Sequence, residues 1–113
     1  MQDFSKSEKK RLRELAALAY KRDVSNSLSK LAAKFDEWKS GAVTALQLNE
    51  ALHEYDRGES RDLWSRYDSN QFDIQVASAI VRGLLTDAEV GKEILTLLLT
   101  QIQFLKSEAD GDR

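Results

Sequence analysis

The stretch Val24-Ser25-Asn26-Ser27-Leu28-Ser29-Lys30-Leu31-Ala32-Ala33-Lys34-Phe35-Asp36-Glu37-Trp38 sets apolar side chains at 24, 28, 31, 35 and 38. Steps of three and four put all five on one face of an α-helix. Upstream, Leu12, Leu15, Ala16 and Ala19 make a second apolar seam. The two seams do not share a phase, because the first one quoted projects back to Ala17 and Lys10. Between them Asp23-Val24-Ser25-Asn26-Ser27 is a run of weak helix formers. A break near Asp23 would give two helices. No glycine or proline enforces one, so the reading taken is a single bent helix from about Lys6 to Lys39.

Downstream the punctuation is helical. Glycines at 41, 58, 83, 91 and 111 suit positions just past helix ends. Thr44-Ala-Leu-Gln47 and Thr86-Asp-Ala-Glu89 are capping boxes, and Ser60 follows Gly58 as a further start signal. These marks predict helices over about Ala45–Tyr55, Arg61–Tyr67, Ile74–Leu84 (capped by Asp73) and Lys92–Lys106, the last after a short turn at Asp87–Val90. No stretch alternates apolar and polar residues as a strand does. The fold expected is all-α, an irregular bundle of four to five helices with a long N-terminal helix. One domain is expected over residues 1–113, with frayed tails at 1–5 and 108–113.

Composition agrees. The chain has 113 residues, no proline where an average protein of this length has about six, and no cysteine. Absent cysteine excludes disulfides, thiolate metal sites and thiol nucleophiles. The apolar share of 42% and net charge of −2 fit a folded chain. The most apolar run, Ile94–Leu105, is shorter than the ~20 residues of a membrane span, and Met1–Lys10 is too polar for a signal peptide. A cytoplasmic protein is therefore expected, with no membrane contact.

Catalytic chemistry is poorly supplied. His53 is the sole imidazole, and no Gly-x-Ser-x-Gly elbow or phosphate-binding glycine loop occurs. Glu50 and His53 form a Glu-x-x-His pair, the element of di-metal helical bundles, but such a site needs two pairs and only a dimer would provide them. Asp36–Thr44 and Asp68–Asp73 approach the calcium-loop pattern without its oxygen ligands and read as helix–turn–helix corners. No enzyme activity, cofactor or metal is expected.

Binding is better supplied. Asn49–Tyr67 packs His53, Arg57, Arg61, Trp64 and Tyr67 around the Gly58 turn. Trp, Tyr and Arg dominate protein-binding hot spots. If Trp64 and Arg61 reach the surface, the corner suits a protein partner; the alternative is Trp64 as a core anchor. Lys6–Arg22 holds seven bases against two acids, including Lys9, Lys10, Arg11 and Arg13, while residues 83–113 hold six acids against three bases. Cations at a helix N-terminus oppose its dipole, so the cluster does not serve the helix. It suits phosphates, an acidic partner or the acidic end of the chain itself. An acidic pI of about 5.4 and few interleaved aromatics weigh against nucleic acid. In the last helix Ile94, Leu95, Leu98, Ile102 and Leu105 form one stripe, whereas Leu97 and Phe104 lie elsewhere and suit a homodimer contact. The leading expectation is a small non-catalytic protein-binding or regulatory protein. Small bacterial accessory, antitoxin and immunity proteins share this size and acidity, an analogy of fold class only. A nucleic-acid-associated protein and a dimeric Glu/His metal protein are the alternatives.

Overall fold

The computed structural model describes residues 4–111. Seven helical segments follow in order: α1 Lys6–Lys39, α2 Ala45–Arg57, α3 Glu59–Tyr67, α4 Phe72–Val81, α5 Asp87–Val90, α6 Lys92–Leu97 and α7 Leu99–Gly111. No strand occurs among the described residues. The all-α fold with a long first helix is as the sequence implies. α1 is unbroken over its 34 residues, about 51 Å of axis. Both capping boxes form, with Thr44 and Thr86 side chains accepting from the backbone N–H of Gln47 and Glu89. α1 and α4 end alike: Gly41 and Gly83, at positive φ, donate to the carbonyls of Trp38 and Ile80, and the next residues donate to Glu37 and Ala79. That is the paired closure of a Schellman motif.

Several boundaries differ from expectation. Asp73 does not cap α4; Gln71 holds that position, and the Asp73 carboxylate accepts from Gln101 Nε2 at 2.8 Å. α4 stops at Val81 rather than Leu84, because its closure consumes Arg82 to Leu84. α3 begins at Glu59 with no side-chain cap from Ser60, since Gly58 ends α2 and starts α3 at once. Gly58 is not left-handed there; a Cβ on it would stand 3.0 Å from the Glu54 carbonyl oxygen. The helix expected over Lys92–Lys106 divides at Leu98, and α7 extends to Gly111, into the stretch read as a tail. Residues 1–3 and 112–113 of those tails lie outside the described residues.

The chain forms two compact units. The first takes residues up to Tyr20 and from Ser69 onward. Its core is Leu12, Leu15, Ala16 and Ala19 of α1 with Val76, Ala77, Ala79, Leu85, Val90, Ile94, Leu98 and Ile102. α4 packs on α7, α5 on α6, and α6 on α7. The Arg11 guanidinium donates to the Glu89 carbonyl at 2.6 Å, fastening α1 beside α5.

The second unit is Lys21–Asp68, where α2 packs on α3. Its buried side chains are few: Ser27, Leu48 and Leu63. Val24, Leu31 and Phe35 are half-buried, and Leu28 and Trp38 of the same seam are exposed. Asp23, with its side chain 11% exposed, accepts from the Tyr67 hydroxyl and lies 3.4 Å from Arg66 Nη1. Lys30 and Glu59 pair at 3.8 Å.

Candidate functional site

The Thr44 box starts α2 in a fixed register. Leu48, Ala51, Leu52 and Tyr55 then turn inward at helical spacing, which leaves Glu50, His53 and Arg57 on the outer side. His53 is exposed. Arg57 donates through Nε to the His53 carbonyl at 3.4 Å, and its Nη2 stands 3.7 Å from Glu50 Oε1. The histidine and arginine therefore share one face, held at its acidic edge by Glu50. This arginine–glutamate pair also engages the carboxylate of the Glu-x-x-His element. Among the described residues no three His, Asp or Glu side chains are grouped to hold a metal ion.

α3 follows without a loop, because Gly58 serves both helices. Leu63 and Tyr67 face inward, Leu63 buried and Tyr67 spent on Asp23. Rotation by 100° per residue then carries Trp64 outward, where it is 58% exposed, with Arg61 exposed one turn before it. Trp64 is no core anchor. Of the five residues singled out in this segment, His53, Arg57, Arg61 and Trp64 are at the surface, whereas Tyr67 buttresses from beneath.

Sequence reasoning missed Leu46, which at 81% exposed is the most open large apolar side chain among the described residues. It falls two residues after the capping threonine, in the first turn of α2. The exposure of Leu28 and Trp38 was also missed, since periodicity groups residues on a face without saying what covers it.

The basic segment is placed as follows. Lys9 and Lys10 are exposed, Arg11 is taken up by Glu89 and by Glu14 at 3.6 Å, and Arg13 stands with its Cζ 5.6 Å from the centroid of the Phe72 ring. Phe72 is 59 positions away in sequence, so nothing in the local pattern announces it. Phe104 of α7 is 61% exposed, and Leu97, the last residue of α6, is half-buried.

Set against known proteins, the chain matches no family, no curated protein and no solved structure. No helix among the described residues is long and apolar enough to cross a membrane.

Proposed function

We propose that this is a small non-catalytic, cytoplasmic protein that works by binding another protein through the corner formed by α2 and α3. The exposure of Trp64, one helical turn after the exposed Arg61, is the observation that supports it. An exposed tryptophan costs the free chain solubility and returns large contact area when covered. Arginine beside it adds forked donors for carboxylates and carbonyls. Leu46 and the half-covered seam of α1 enlarge the apolar supply of the same unit. The test compares capture by the native chain with capture by Trp64→Ser and Arg61→Ala from the cell of origin. Trp64→Ser is expected to leave the circular dichroism unchanged and to lose one captured protein. An identical captured set from the folded variant would remove this reading.

A second copy of the chain is a further partner we propose, on separate ground: Leu99 and Phe104 are both exposed on α7. Sedimentation at high micromolar concentration is expected to give a mass above the 12.8 kDa of the chain, and Phe104→Ser to restore it. A native chain that sediments as a monomer at that concentration would rule this out.

A further inference from the structure

The basic stripe of the first unit has no part in the corner just described. Lys6, Lys9, Lys10 and Arg13 stand at i, i+3, i+4 and i+7 of α1, on one face. With Ser7 they line an open hollow of about 580 Å³. Four cations in the first two turns oppose the helix dipole. Among the described residues none of the four is in an ion pair. Among the described residues neither helix stability nor internal pairing accounts for them.

A second hollow of about 320 Å³ adjoins the first and shares Lys9 and Arg13 with it. Phe4, Leu12, Asn70, Phe72 and Asp73 complete its lining. The sequence shows few aromatics among these bases; the fold supplies two, Phe4 from just before α1 and Phe72 from α4. Arg13 over the Phe72 ring is within cation–π range, which fixes the guanidinium in the wall. One oxygen of Asp73 is occupied by Gln101. Its other oxygen and the Asn70 amide remain as polar edges of an otherwise apolar and cationic space.

The two hollows differ in what they accept. The larger has only cations and a hydroxyl, the setting for phosphate oxygens. The smaller has a carboxylate, which repels phosphate, beside aromatic and guanidinium surfaces on which a nucleobase stacks. A carboxylate accepts from an exocyclic amino group such as cytosine N4. The stripe spans about 10 Å, room for a few phosphates and not for a long duplex footprint. We propose that these adjoining hollows bind a nucleoside phosphate, its phosphate on Lys6, Lys9 and Lys10 and its base against the wall that Arg13 and Phe72 form beside Asp73.

The test is fluorescence anisotropy of the full chain with a fluorescein-labelled cytidylate hexamer, with cytidine triphosphate and inorganic tripolyphosphate as competitors. Binding is expected, with tripolyphosphate the poorer competitor. The triple change Lys6→Gln, Lys9→Gln, Lys10→Gln is expected to weaken it more than tenfold and to flatten the log–log salt slope by about 2. Phe72→Leu is expected to weaken it about tenfold with little change in that slope. Arg13→Gln, at an exposed position, tests the same wall should Phe72→Leu disturb α4. Equal competition by the triphosphate identifies a free nucleotide, and preference for the hexamer identifies a single strand; either supports the site. No binding at low salt would overturn it. So would binding indifferent to the lysine triple, equal competition by tripolyphosphate, or retention on phosphatidylserine vesicles without nucleotide binding.

Discussion

Ser27 shows how one side chain sets a local limit on stability. It is 3% exposed in the middle of α1, and its Oγ has no hydrogen-bond partner among the described residues. A buried hydroxyl without a partner loses its hydration for nothing, and serine is a poorer helix former than alanine. Ser27→Ala is therefore expected to stabilise the protein by about 1 kcal/mol, read as a higher urea midpoint at unchanged slope. An equal or lower midpoint would mean that the hydroxyl is satisfied in solution. The residue also marks a limit of sequence reading. Ser27 lies among polar residues that argue for a surface or a break. Its burial follows from the turn of α1 that also carries Val24 and Leu31, which no property of serine reveals. Trp64 is the converse, a residue whose type suggests burial and whose register turns it outward. Its exposure follows from the packing of α3 on α2, which buries Leu63 and leaves the next residue outward.

At the scale of the elements, local signals were read best where they are self-contained. A capping box needs only its own four residues, so Thr44 and Thr86 acted as their spacing implies. The continuous α1 was legible for the same reason, since nothing in it forbids helix. The division at Leu98 was not, because no glycine or proline stands there and Leu98 is itself fully buried. α5 and α6 meet at Gly91, whose φ of 89° and ψ of 150° lie in a region essentially reserved for glycine. Its amide closes α5 on Asp87, and its carbonyl accepts from Leu95 to open α6. Gly91→Ala is expected to cost about 1–3 kcal/mol, measured by denaturant melts. A cost below a few tenths would mean that this turn relaxes without loss.

Over the whole molecule, burial is uneven. The first unit holds nearly all of the fully buried apolar side chains, and the second holds Leu48 and Leu63. A fully buried aliphatic side chain contributes about 1.5–3 kcal/mol, so the two units differ substantially in what resists opening. Amide hydrogen exchange is expected to be slowest within residues 76–79 and 94–102 and markedly faster through residues 21–68, despite equal helicity. Uniform protection across the chain would contradict this. The boundary between the units falls after Tyr20, where one apolar seam of α1 ends and before the other begins, a change of phase that the sequence reading takes as a bend in one helix of a single domain. What each seam would find to pack against was not legible, because that depends on residues in other elements far along the chain.

Trp38 and Trp64, the only two tryptophans in the chain, both belong to the thinly buried unit, and both are substantially exposed. The near-ultraviolet emission of this protein is thus a native optical label for the unit proposed to meet a partner. A shift of that emission to shorter wavelength on mixing would register a protein covering Trp64 without any dye attached.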